Sequence, residues 1–330
     1  MRNRIISITV VVFVLGVLFM KVITLPPNLK TAKLVEIPEG ATAVEIARRL
    51  EEKHVVKKAN WFLYLTNRYG SQGKLQAGIY EFSGRTPLKK VISMIVRGEV
   101  VLIRVTVPEG YTVKEIAELL ENKKLVDSRE FIQYARDNKK LEGMLFPDTY
   151  FFPHNVSTEA IASTMFRRFM NVFGEIYGKE ITDSNFKKVR EIVTIASIVE
   201  KEAMYSNERE IIAGIIYKRL KKDMPIQSCS TVIYALGMPK SRLSGKDLNI
   251  KSLYNTYVHR GLPPGPICNP GFSSLKAAVN PKKTDYLYFV SMGDGRNYFS
   301  KTYQEHLAAS KRFLSSGTAS ETSSVRQNSE

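Results

Sequence analysis

Metal and redox chemistry find little to work with in this chain. Its 330 residues include four histidines and two cysteines. His54, His154, His259 and His306 are scattered, and no two stand at zinc-ligand spacing. A metal enzyme is therefore disfavoured, and no cofactor is expected. Cys229 and Cys268 could form one disulfide at most, and sequence alone does not say whether they meet. Negative charge is also scarce, with 32 Asp and Glu against 49 Lys and Arg, a net charge of +17. Such an excess implies an anionic partner: nucleic acid, anionic lipid headgroups or an acidic cell-wall polymer. The basic residues form no Arg-rich arm, and no zinc-finger or RNP-type pattern is present, so nucleic acid is the weakest of the three. What remains is ordinary globular material, 44% hydrophobic and 25% charged.

Only one long apolar run exists. Arg2 and Arg4 precede an uncharged stretch from Ile5 to Met20; after Lys21 the apolar pattern continues to Leu25. As a helix, residues 5–25 would span roughly 30 Å, about one hydrocarbon core. Lys21 lies near one end and could snorkel. No small-x-small cleavage site follows, so an uncleaved anchor is expected rather than a signal peptide. The two arginines place residues 1–4 in the cytoplasm and the bulk of the chain outside. At the other end, Ser315 to Glu330 is mostly polar, and a disordered tail is expected there.

Between these ends the chain repeats itself. Ile37-Pro38-Glu39-Gly40-Ala41-Thr42 opens a segment running to Val56, and Val107-Pro108-Glu109-Gly110-Tyr111-Thr112 opens one running to Val126; 11 of 20 aligned positions are identical. Each copy reads as a strand ending in a Pro-Glu-Gly turn. A capping box follows, Thr42 with Glu45 and Thr112 with Glu115. Ile46, Ala47 and Leu50 in one copy, and Ile116, Ala117 and Leu120 in the other, supply an apolar helix face. Two copies are too few for a solenoid, so 30–140 is expected to hold a duplicated small α/β unit. From Leu141 the texture changes to aromatics and turn residues, and 141–314 reads as one domain. Helices are expected near 157–176, 184–204 and 207–221, with a strand at 286–290. The fold class is α+β.

One carboxylate in that domain is out of place. With Val189 at zero and about 100° per residue, Val193, Ala196 and Ala203 fall within about 40° of zero. Glu200 falls at about 20°, inside this apolar stripe, while Glu202 falls at about 220°, off it. A buried carboxyl tends to hold its proton, as a general acid must. The competing reading is a structural glutamate paired with a buried Lys or Arg.

Four clusters follow: Gln227 to Val232, Tyr254 to Tyr257, Gly261 to Gly271, and Ala277 to Pro281 with Tyr286 to Val290. Amides, hydroxyls and rings in stiffened loops suit a sugar polymer; the plainer reading is that Pro and Gly build turns and the rings are core. Gln227, Tyr254, Asn255, Thr256, Tyr257, Pro264, Gly265, Asn269 and Asn280 are the candidate substrate-binding residues.

Ala196-Ser197-Ile198-Val199-Glu200-Lys201-Glu202, Tyr254-Asn255-Thr256-Tyr257 and Gly261-Leu262-Pro263-Pro264-Gly265-Pro266 closely resemble the endolytic murein transglycosylases of bacteria. So do Leu145 to Tyr150 and Tyr286 to Val290, and the similarity runs from the apolar segment to about Leu314. The Pro-Glu-Gly repeats more weakly resemble LysM-type peptidoglycan-binding modules. The resemblance implies a single-pass protein of the bacterial inner membrane with its C-terminal domain in the periplasm. It implies a lyase that cleaves the bond between N-acetylmuramic acid and N-acetylglucosamine within nascent glycan strands, forming 1,6-anhydro ends. It makes Glu200 the catalytic acid and base, and implies synthases of the penicillin-binding class as partners. It also explains how one carboxylate can suffice where glycosidases use two, since the substrate's own C6 hydroxyl replaces the external nucleophile. Two departures stand out. Cys229 and Ser230 occupy places where the family usually has Asp and Pro, and Asn297 lies near a common His. The rival reading from another class is a non-catalytic peptidoglycan-binding scaffold.

Overall fold

The protein is described here from a computed structural model covering residues 26–138, 141–240 and 243–324. The expected anchor at 5–25 lies outside the described residues. Among the described residues, no helix is long and apolar enough to cross a membrane. The fold is mixed α+β, and the chain forms two compact units. One comprises the chain through Arg104 together with Phe151–Val156; the other comprises Val105–Tyr150 and everything from Ser157. The division falls within the expected 30–140 region, so the second Pro-Glu-Gly copy shares a unit with Glu200.

The duplication is visible as a repeated order of elements. The first copy runs β1 (Leu29–Ile37), α1 (Ala43–Glu52), α2 (Ala59–Arg68) and β2 (Gly78–Gly84). Strand β1 pairs antiparallel with β2, with Val35 opposite Tyr80. Alternation along the strands buries Val35, Ile37, Tyr80 and Phe82. Ile46, Ala47 and Leu50 of α1 join them, with Phe62 from α2 and Ile95 from α3 (Leu88–Arg97). The second copy runs β3 (Leu102–Thr106), α4 (Val113–Asn122), α5 (Ser128–Asp137) and β4 (Thr149–Pro153), with β3 paired to β4. Both capping boxes form: the Thr42 and Thr112 amides donate to Glu45 and Glu115 at 2.8 Å and 2.7 Å. Each box satisfies helix-end amides that have no partner inside the helix.

The second unit is built around two long helices, α6 (Thr158–Tyr177) and α7 (Asp183–Glu202), joined by α8 (Ser206–Lys221). Short helices α9 (Cys229–Leu236), α10 (Gly245–Leu248) and α11 (Phe272–Val279) follow, then a hairpin of β5 (Tyr288–Ser291) and β6 (Asn297–Ser300). Helix α12 spans Tyr303–Ser324, so its backbone reaches into the segment expected to be disordered. The core joins Phe169 and Phe173 of α6, Val193 and Ala196 of α7, Ile212 and Ile216 of α8, and Leu275 and Ala278 of α11. Small residues allow close approach here. At Gly214 on α8, a Cβ would lie 2.1 Å from the Lys282 carbonyl oxygen, so only glycine admits that backbone.

Candidate functional site

Glu200 stands on the last turn of α7. The predicted stripe is buried: Val189, Val193, Ala196 and Ala203 are all in the core. Thr194, Ile195, Ser197 and Ile198 are buried too. Helix α7 is therefore wrapped on every side through this stretch, and helical phase alone does not single out Glu200. Its partners do. The Glu200 side chain is 7% exposed and its Oε1 accepts from Nη2 of Arg209 at 3.2 Å. Its Oε2 accepts from the Gly271 amide at 2.9 Å. Arg209 lies in the first turns of α8, directly after the chain reverses beyond α7, and its side chain is 12% exposed. The buried arginine of the structural reading is thus present. Arg209 also carries a buried Nε with no hydrogen-bond partner.

A second carboxylate reaches the same place from the repeat. Glu109 packs against Gly271 so closely that a Cβ on that glycine would lie 1.8 Å from Glu109 Oε1. The Phe272 amide acts on the Glu109 carboxylate and favours its ionised form. Gly271 and Phe272 begin α11, so two otherwise unpartnered helix-end amides each meet a carboxylate. Partial burial, then the negative charge of Glu200, push the Glu109 carboxyl above its ordinary value; Arg209 and the Phe272 amide act the other way. Glu109 nonetheless remains exposed to solvent as a residue. The same tripeptide in the first copy has no such neighbour: a Cβ on Gly40 meets nothing, whereas one on Gly110 would lie 3.6 Å from Glu200 Cγ.

Asn269 fastens these parts together. Its amide donates to the Tyr111 carbonyl at 2.8 Å, and its carbonyl accepts from the Gly110 amide at 2.9 Å. Its side chain donates to the Tyr111 carbonyl at 2.9 Å and accepts from the Leu145 amide at 2.8 Å. Asn269, a candidate substrate-binding residue, is fully buried, and its atoms hold the 109–111 turn on the 269–271 loop. Asn255, another candidate, is placed in the same way. It is fully buried, donating to the Leu248 and Ile250 carbonyls and accepting from the Tyr257 amide. Thr256 is buried against Thr231 and the Ser228 amide. A buried amide or hydroxyl needs protein partners, and these three have them.

The other candidates are distributed differently. Gln227 is exposed and holds a left-handed backbone, φ 54°, a strained conformation of the kind kept at functional loops. Its amide donates to the Thr256 carbonyl at 3.0 Å, which joins its loop to Tyr254–Tyr257. Tyr254 stacks at a tilt on Tyr234, whose hydroxyl donates to Glu142 at 3.1 Å. The Tyr257 hydroxyl lies 3.1 Å from Cys229 Sγ. Gly265 is buried, and a Cβ there would lie 2.7 Å from Nη2 of Arg190. Pro264 and Asn280 are exposed. Asn280 caps the far end of α11, about 13–14 Å from Gly271 along the helix.

Glu202 has a part that phase did not show. Its Oε1 accepts from the hydroxyls of Ser228 and Ser230, the latter at 2.9 Å, and so ties the Gln227 loop to the end of α7. Ser230, one of the two departures, supplies one of these bonds. At the other departure, Asn297 donates through its side chain to Glu208 at 2.8 Å and through its backbone at 3.0 Å. Both cysteines are free; Cys229 is exposed and Cys268 buried. Sequence reasoning missed Glu109, Arg209 and Gly271 as parts of the site. The duplicated Pro-Glu-Gly marked Glu109 only as a turn residue.

The YceG-like family model matches residues 35–312. An endolytic murein transglycosylase of Bacillus subtilis (strain 168) is 37% identical over 313 residues, covering 87% of this chain and 86% of the relative. One of Streptococcus pneumoniae (strain ATCC BAA-255 / R6) is 30% identical over 321 residues, covering 84% of this chain but 58% of the relative. The chain therefore spans little more than half the length of the pneumococcal protein. The crystal structure of a YceG-like protein from Listeria monocytogenes superposes with a TM-score of 0.55 at 35% identity, covering 84% of this chain and 99% of that one. The match extends from β1 to α12 and takes in Glu109, Glu200 and Gly271 alike: the chain belongs to the YceG-like family.

Proposed function

We propose that this protein is an endolytic lytic transglycosylase of peptidoglycan, a lyase that cleaves the bond between N-acetylmuramic acid and N-acetylglucosamine within nascent glycan strands. The observation that carries this is its 37% identity, over 87% of the chain, with a protein named for that activity. The site is consistent with it. Cleavage requires a proton on the leaving oxygen, attack by the muramyl C6 hydroxyl on C1, and removal of that hydroxyl's proton. No water is consumed, and a 1,6-anhydro ring closes. Glu200, held by Gly271 and Arg209, is the carboxylate on which this cycle turns.

The finer parts of the reading follow from sequence. Residues 5–25 anchor the chain in the cytoplasmic membrane, and the two units face the periplasm or its equivalent. The first β-α-α-β unit binds peptidoglycan in the LysM manner, supported by the repeat and by its separate core. The net charge of +17 keeps the enzyme near an anionic surface. Synthases of the penicillin-binding class supply the strands, and cleavage limits strand length.

The test is mass spectrometry of uncrosslinked glycan strands incubated with the full-length protein and with Glu200→Gln. Shorter strands with 1,6-anhydromuramic ends, absent with the variant, are expected. Reducing ends would mean hydrolysis instead. Strands bound but uncut by folded wild-type protein would establish the scaffold reading, with the Glu200–Arg209 pair purely structural.

A further inference from the structure

Glu109 and Glu200 lie at the adjacent amides of Phe272 and Gly271, and the Arg209 charge acts on both. Both carboxylates ionised would leave one negative charge in excess of the guanidinium. Each is differently placed to deal with a proton. Glu200 has a side chain 7% exposed and both oxygens already accept N–H donors. Glu109 is exposed to solvent. Partial burial, and then the charge of Glu200, raise the Glu109 carboxyl above its ordinary value.

We propose that Glu109 is the second carboxylate of the reaction: it delivers the proton to the leaving glycosidic oxygen, while Glu200 accepts the proton of the attacking C6 hydroxyl. This rests on the transglycosylase reading above and divides its two proton steps between two residues. The balance closes. The C1–O4 bond breaks as O4 takes the Glu109 proton, and the C1–O6 bond forms as O6 gives its proton to Glu200. The pair ends with its protonation exchanged, and one proton passing back to Glu109 through solvent restores it. The groups that face Glu109 support its role as the acid. Glu200 of α7 opposes its ionisation, whereas Arg209 of α8 and the Phe272 amide of α11 favour it; partial burial against Gly271 and Phe272 weighs most, and raises it. Lys201 of α7 stands close to the same turn, its Nζ 3.6 Å from where a Gly110 Cβ would lie.

The experiment uses two substrates. One is uncrosslinked glycan strands. The other is a short muramyl glycan with a nitrophenyl group on its reducing end, a leaving group that needs no proton. With full-length protein, Glu109→Gln is expected to lower kcat on strands by about 10²- to 10⁴-fold, the usual worth of a general acid, with KM little changed. On the nitrophenyl substrate it is expected to stay within about tenfold of wild type and to lose the fall in rate at high pH that deprotonation of the acid causes. Gly271→Ala is the second variant. Its Cβ would displace the Glu109 carboxylate without removing it, and the same loss on strands and the same rescue are expected. Unchanged kcat of Glu109→Gln on strands would overturn the division and leave both proton steps to Glu200. Equal losses on both substrates would also overturn it, making Glu109 a structural support. Absence of 1,6-anhydro ends with wild-type protein would sink the underlying reading instead.

Discussion

Glu200 and Arg209 form the buried ion pair on which the site depends, and removing one partner is predicted to cost far more than removing both. In Arg209→Met the methionine fills much of the same space, and the unpartnered Nε disappears. Glu200, with a side chain 7% exposed, is left with the Gly271 amide alone. Breaking such a pair costs about 3–5 kcal/mol, and relief of the orphaned Nε returns about 1 kcal/mol, so a net loss of about 2–4 kcal/mol is expected. Glu200→Leu strands the guanidinium, 12% exposed, although Glu109 remains beside it, and a loss of about 2–3 kcal/mol is expected. The double variant removes both charges and leaves mainly the Gly271 amide unpaired. It should lie within about 1–2 kcal/mol of wild type. The coupling between the two changes is then about 2 kcal/mol or more, well above the scatter of independent sites. Thermal unfolding of the purified full-length protein measures it: each single variant should melt on the order of 10 °C lower, the double variant only a few degrees lower. Single variants melting within about 1 °C of wild type, or a double variant no better than its worse parent, would refute the reasoning, because no buried charge would then be seeking its partner.

Further outcomes follow from the same geometry. Asn269→Ala leaves the Leu145 amide without its acceptor and removes a donor to the Tyr111 carbonyl; a loss of about 2–4 kcal/mol and a parallel fall in strand cleavage are expected in unfolding and activity assays. Stability should also depend on Glu109 with a definite sign. Its folded-state value is raised above 4.5, so the stability it contributes is present at low pH and fades as pH rises from that value through the raised one. Glu109→Gln should therefore gain on wild type in melting temperature between pH 4 and pH 8, and a constant difference would contradict this. Burial of the Cys229 sulfur pushes its thiol up, opposed by the Tyr257 hydroxyl and assisted by Glu202. Iodoacetamide should therefore modify Cys229 more slowly than a free cysteine at pH 7.5 and faster as pH rises. Cys268 is fully buried, its Sγ donating to the Ser197 carbonyl at 3.3 Å, and should react only in denaturant; mass spectrometry of alkylated peptides distinguishes the two.

Local pattern determined a large share of this protein. Capping boxes, helix spans and the apolar faces of α1 and α4 depend on neighbours three or four residues away, so they were legible in the chain itself. The apolar stripe that drew attention to Glu200 was legible as well, but α7 is buried on every side from Ile192 to Val199, so phase alone does not distinguish that residue. The duplication was legible, and its two β-α-α-β orders bear the same element pattern. Composition did little more than disfavour the metal and nucleic-acid classes. What the chain could not announce was which polar residues face a ligand. Asn255 and Asn269 have the composition of a binding loop but are consumed by backbone groups far away in sequence. Arg209 was one more surface-type residue until the reversal after α7 turned it onto Glu200. Glu109 was a turn residue identical to Glu39, and only the contact of its loop with Gly271 makes it part of the site. These roles rest on contacts between segments as far apart as Glu109 and Gly271, and a side chain's charge state and accessibility are set by what the whole fold packs against it, not by its neighbours along the chain.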